Sequence, residues 1–139
     1  MSAVPEPHAA DKAAADWAAI GSRAPAVACT MGRYLDQIAT FLAPRSVDAA
    51  DNALRQFAVW LVAHTDVRVV ADVSRTDVED FKVWLAAQPG NKPGSRLSAN
   101  THRQRLRTLR AFFERIIEWE WPDTPIRNPV IGGDLPPPP

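Results

Sequence analysis

The chain has 139 residues, 46% of them hydrophobic, with 16 basic residues balanced by 16 acidic ones and a pI near 6.8. That length and apolar content fit one globular domain with tails, zero net charge excludes a uniformly basic nucleic-acid coat, and the single Cys29 excludes an intramolecular disulfide. No secretory segment or membrane-spanning apolar run occurs, which points to a cytoplasmic protein without a membrane partner; His8, His64, His102 and Cys29 lack ligand spacing, so no metal or other cofactor is expected.

Residues 1–27 are rich in alanine, broken by Pro5, Pro7 and Pro25, with little hydrophobic mass beyond Trp17 and Ile20. Alanine favours a short helix over Asp11 to Ile20, but its apolar face is small, and the segment reads as a flexible N-terminal arm. A first helix is predicted from about Cys29 to Ala43. Met31, Tyr34, Leu35, Ile38 and Leu42 lie on one face, Phe41 at its margin, and Pro44 stops it. A second helix follows Ser46, read as its N-cap, with Asp48 and Asp51 near the positive end of the dipole. Its core face is Ala50, Leu54, Phe57 and Leu61, and Trp60 beside that stripe is read as packing against a neighbouring helix. The β-branched stretch Asp66 to Val73 has no strand to pair with and reads as a connector plugged into the core. Ser74 with Asp77 three residues on marks the start of a third helix, whose apolar side is Val78, Phe81, Trp84 and Leu85. It ends near Gln88, before a loop of prolines and glycines that is placed to reach a partner.

The longest helical pattern runs from Ser95 to Trp121. Leu106, Leu109, Phe113 and Ile116 recur at helical spacing, widened by Phe112 and Ile117. Arg103, Arg107 and Arg110 follow the same period beside them as a basic stripe. From Ser95 to Arg115 six arginines stand against Glu114 alone, so the positive charge of a neutral chain is segregated here. Unmixed arginine suits phosphate, because the guanidinium is a permanent charge with several donors. Ser98 is placed to cap the helix, leaving backbone N–H groups beside Asn100, Thr101 and Gln104, side chains that hydrogen-bond phosphates or base edges. After Trp121 the helix stops at Pro122, and Pro125, Asn128-Pro129, Gly132-Gly133 and the final prolines read as a semi-rigid tail.

Four helices of which the last is basic resemble the N-terminal core-binding, or SAM-like, domain of tyrosine recombinases and phage integrases. The likeness spans about Met31 to Val130. It is carried by Arg33-Tyr34-Leu35, by Leu54 to Leu61, by Asp72 to Phe81, and by Ser98-Ala99-Asn100-Thr101 with Arg105-Leu106, Leu109-Arg110, Phe112-Phe113 and Asn128-Pro129. The resemblance implies an all-α, compact four-helix domain over residues 28–130, an arm before it, and a Pro-rich linker over 131–139 to an absent catalytic domain. It further implies that the second and fourth helices grip duplex DNA of a recombination half-site, with a catalytic domain or other recombinase protomers as further partners. The matching positions are Arg45 and Ser46 at the second helix and Arg96, Asn100, Thr101, Gln104 and Arg105 at the fourth. Asp48 and Asp51 depart from the basic or neutral character that a groove-facing helix favours.

That family's chemistry needs a tyrosine nucleophile beyond the linker, whereas the only tyrosine here is Tyr34, on an apolar face, so a non-catalytic DNA-binding module is expected. The second reading is a helical protein-interaction module that uses exposed Trp119, Trp121 and the arginine face. A third reading, a small enzyme, has little support, since no carboxylate pair, nucleophile with base, or glycine-rich phosphate loop stands out at a usable spacing.

Overall fold

The computed structural model describes residues 9–90 and 92–135, and within them the chain is all-α. Five helices form: α1 (Ala9–Arg23), α2 (Pro25–Ile38), α3 (Pro44–His64), α4 (Arg75–Ala86) and α5 (Ala99–Glu118). The helix α3 is the hub, packing against α1, α2, α4 and α5. Phe57 lies at its centre, edge-on to Phe81 at 5.0 Å and to Phe113 at 6.4 Å, and stacked on Trp60 at 5.9 Å. All nine of the large residues Leu54, Phe57, Leu61, Phe81, Leu85, Leu106, Leu109, Phe113 and Ile116 are buried in one core, and Trp60 packs among them as its position beside the stripe suggested.

The segment expected as a flexible arm is instead folded from Ala9 onward. Ile20, Ala24 and Val27 are buried in the common core, and the Trp17 indole donates to Asp51 Oδ1 at 2.9 Å. Small residues explain this: α1 carries alanines around Trp17 and Ile20 in place of a wide apolar stripe, and small side chains let helix backbones approach closely. The same contact occupies Asp51, which also pairs with Arg55 at 3.5 Å, so this acid is turned toward α1. The first eight residues lie outside the described residues.

Two predicted helix ends move. Pro44 does not stop a helix but begins one, because proline at the first helical position needs no N–H and brings a helical φ; Ser46 therefore sits inside α3 and is not its cap. The preceding helix already ends at Ile38, where Thr40 turns its hydroxyl onto the Gln37 carbonyl at 2.7 Å. Phe41 is left exposed. The start of α4 is as predicted, with Ser74 and Asp77 forming a reciprocal capping box, and the connector before it is a short 3-10 turn, Val70–Asp72, with Val70 and Val73 buried.

The chain beyond α5 is tied down rather than extended. Asp123 accepts from Thr30 Oγ1 at 2.8 Å and from the backbone N–H groups of Val70 and Ala71, which it satisfies at the start of the 3-10 turn. Asn128 donates to the Arg110 carbonyl at 3.0 Å, and Val130 is buried. Asp134, with its side chain 1% exposed, receives Arg75 Nη2 at 2.8 Å and Lys82 Nζ at 2.7 Å. Residues 131–135, assigned to a linker from sequence, thus pack on α4, and the prolines 136–139 lie outside the described residues.

Candidate nucleic-acid interface

No acidic residue occurs between Asp80 and Glu114, a stretch holding Lys82, Lys92, Arg96, Arg103, Arg105, Arg107 and Arg110. The fold gathers this charge around the first half of α5. The turn before it is closed by Gly90 N–H to Ser95 O at 2.9 Å and Ser95 N–H to Lys92 O at 3.0 Å. Gly94 takes φ +77, and a Cβ on Gly90 would collide with the Arg96 carbonyl, so both glycines are required for the loop to fold back beside the helix. Lys92 and Arg96 then line one cleft with Ser98, Thr101, Gln104 and Arg105, and no carboxylate belongs to that lining.

Ser98 caps α5 as predicted, accepting from Thr101 N–H at 3.1 Å. Its hydroxyl also donates to Thr101 Oγ1 at 2.9 Å, which leaves Thr101 half-buried and partly committed to the cap. Asn100, Gln104 and Arg107 are exposed and, with half-buried Arg103, fall on one side of the helix at 100° per residue. Across a groove from that side stands the first half of α3: Ser46 and Ala49 line it together with Gln104, Arg107 and Thr108. Arg45, also exposed, belongs to the same first turn of α3. Of the predicted residues, Ser46, Gln104 and Arg107 are thereby brought to one groove.

Arg110 stands apart, and Arg105 is shared between the basic cleft and a second one. Arg110 is half-buried beside Gly132 of the folded tail, and Arg105 is half-buried where α5 faces α1 and α3. The basic stripe read from helical period is split by neighbours that the period does not reveal. Sequence reasoning missed Lys92 as a member of the cleft; its signal was the charge gap, which extends through the loop as well as the helix.

Tyr34 is buried, edge-on to Phe112 at 4.9 Å, and its hydroxyl accepts from Arg115 Nη1 at 3.0 Å. Burial pushes its pKa up, partly offset by that hydrogen bond and the Arg115 charge. It packs, as its place on the apolar face predicted. Trp119 and Trp121, expected as exposed, are half-buried: Trp119 lies 5.9 Å from Tyr34, and Arg33 covers the Trp121 ring at 4.0 Å. Among the described residues no group of acids, histidines or cysteine is arranged to hold a metal ion, and no helix is long and apolar enough to cross a membrane.

Residues 33–123, well over half of the chain, match the family described as phage integrase, N-terminal SAM-like domain. The chain belongs to that family. The match covers α3, α4 and α5 and the end of α2 from Arg33, so the SAM-like domain contains both helices that form the basic face. It stops at Asp123, the carboxylate that ties the chain beyond α5 to Thr30 and the 3-10 turn. The SAM-like domain here is wrapped by α1 on one end of the sequence and by the Asp134 tie on the other, both outside the matched range. No curated protein and no solved structure matches the chain.

Proposed function

We propose that this domain is the DNA-gripping module of a tyrosine site-specific recombinase or integrase, holding duplex DNA on the face shared by the first halves of α3 and α5. The observation that carries the reading is the acid-free run from Phe81 to Phe113, folded so that Lys92, Arg96 and Arg107 surround the capped start of α5, across a groove from Ser46. Family membership supplies the context of recombination. Lys92, Arg96, Arg45, Arg103 and Arg107 neutralise phosphates, while Asn100 and Gln104, exposed and uncharged, are the residues suited to base edges. Thr101, through the acceptor lone pairs and proton its cap contact leaves, adds a hydroxyl at the helix start.

Chemistry on the phosphodiester is assigned to a different domain. A tyrosine nucleophile must reach phosphorus with its hydroxyl free, and Tyr34 Oη is enclosed and bonded to Arg115. Incubation with nicked duplex is therefore expected to leave no covalent protein–DNA adduct.

Binding of this domain to duplex DNA should weaken steeply with salt, as counterion release requires, and should lie near the non-specific range of about 10⁻⁴ to 10⁻⁶ M at physiological salt. In a Lys92→Ala/Arg96→Ala/Arg107→Ala variant that still melts cooperatively, the slope of log K against log salt should fall by roughly one unit for each phosphate contact removed. An unchanged slope and affinity would mean that these cations face only solvent, and would move the protein-interaction reading ahead.

A further inference from the structure

A second cleft, of about 340 Å³, opens where α1, α3, α4 and α5 meet. Lys12 and Asp16 enter it from α1, Asn52, Arg55 and Gln56 from α3, and Arg105 from α5, with the Trp84 ring as part of its wall. Three side-chain atoms here are buried without a hydrogen-bond partner: Nε of Arg55, Nε of Arg105 and Oε1 of Gln56. Arg55 is held at its other atoms, by Asn52 Oδ1 at 2.6 Å and by Asp16 at 3.4 Å, with Asp51 at 3.5 Å from Nε. Arg105 has no such support among the described residues. Burial, and then the Arg55 charge beside it, both disfavour its protonated form.

Like-charged guanidiniums with unspent N–H donors in one enclosure lack an acceptor placed between them. We propose that the cleft is a binding site for a phosphate group, held between Arg55 and Arg105 with Lys12 at its rim. A phosphate fits better than a carboxylate, because its tetrahedral oxygens can meet Arg55, Arg105 and Lys12 from three directions, whereas a carboxylate has two coplanar oxygens. Charge agrees in sign: Lys12, Arg55 and Arg105, against Asp16 and the Asp51 that pairs with Arg55, leave a net positive charge for an anion. Asn52 and the Gln56 amide, which presents its NH₂ after a half turn, complete the donor set. The site does not depend on the DNA reading, although Arg105 also lines the cleft at the start of α5.

The test uses the full chain, inorganic phosphate as the probe, and chloride at matched ionic strength as the control. The Arg105 Nε–H resonance in a ¹⁵N spectrum, assigned by its loss in Arg105→Gln, should move saturably with phosphate and not with chloride. Phosphate should also raise the melting temperature, and its affinity should drop roughly tenfold or more in Arg105→Gln, the loss of one charge-assisted hydrogen bond. Lys12→Gln, on the exposed face of α1, should lower affinity less and carries the test if Arg105→Gln does not fold. Equal responses to phosphate and chloride, or undiminished phosphate affinity in the variants that fold, overturn the proposal. The source of the phosphate is read from a short duplex added in excess: displacement of inorganic phosphate identifies a DNA backbone phosphate, and unchanged phosphate binding identifies a small phosphorylated molecule. Failure of the DNA reading shows separately, as loss of salt-dependent duplex binding with the phosphate response intact.

Discussion

Glu120 is the only non-glycine residue with positive φ among the described residues, at 57°. It follows the C-cap of α5, where the Trp121 N–H reaches back to the Ile116 carbonyl at 3.1 Å and the Glu120 N–H to Ile117 at 3.1 Å, the paired bonds of a Schellman turn. Those bonds satisfy carbonyls at the helix end, so the turn persists although glutamate meets the left-handed penalty that glycine escapes. Glu120→Gly should stabilise the fold by about 0.5–1 kcal/mol, the relief of that penalty less the extra freedom glycine has when unfolded; urea melts measure it. Asp134 gives a second prediction. Burial pushes its carboxyl up, but hydrogen bonds from Arg75, Lys82 and the Ile131 N–H outweigh that and hold it well below its ordinary value. Because the folded-state pKa lies below the unfolded one, the tie contributes stability above the unfolded value near 3.8 and loses it as pH falls below that toward the folded pKa. Asp134→Asn should cost roughly 1–3 kcal/mol at pH 7, since Arg75 and Lys82 remain partly hydrated, and the gap from wild type should shrink in acid. A gap that stays constant from pH 7 down to the lowest pH at which the chain folds would remove the ionised carboxylate from the explanation.

Within α5, period alone located the buried side correctly, because Leu106, Leu109, Phe113 and Ile116 depend on helix geometry and hydrophobicity and on nothing distant. The polar side was legible only as a whole. Arg103, Arg107 and Arg110 share one stripe in the sequence, yet their surroundings differ because the tail returns over one edge of the helix and α3 flanks the other. The bonds that bring the tail back, Asn128 to Arg110 and Asp134 to Arg75, join residues 18 and 59 positions apart, and no local pattern encodes such a partner. The same holds for Arg105, whose place in a like-charged cleft exists only once α1 and α3 have docked. On the DNA reading, the divergence is measurable with single substitutions. Arg107→Ala should reduce the salt slope of duplex binding by about one unit, whereas Arg110→Ala, half-buried against the tail, should reduce it by less and lower stability instead. Indistinguishable slopes for the two would restore the single stripe.

At the scale of the molecule the question is where the folding unit begins. Hydrophobic pattern placed its start near Cys29, because α1 and the first residues of α2 contribute only Trp17, Ile20 and Val27 amid alanines, and alanine adds little to an apolar count even when fully enclosed. Packing gives a different answer. Ile20, Ala24 and Val27 have 1%, 0% and 0% of their surface exposed, and α1 contacts both α2 and α3, the helix on which the core is built. Burying side chains the size of Ile20 and Val27 is worth about 1.5–3 kcal/mol each, and the Trp17–Asp51 hydrogen bond about 0.5–1.5 kcal/mol more. Together these reach roughly 4–7 kcal/mol, against a total stability of about 5–15 kcal/mol for a domain of ordinary size. Residues 28–135 alone should therefore unfold at far lower denaturant than the full chain, or lose cooperative melting, because removing α1 also exposes to water the faces of α2 and α3 on which it packs. Residues 9–135 should melt as the full chain does. If 28–135 instead melts cooperatively within a few degrees of the full chain, α1 is an accessory, and the folded unit starts at α2 as the hydrophobic pattern indicated.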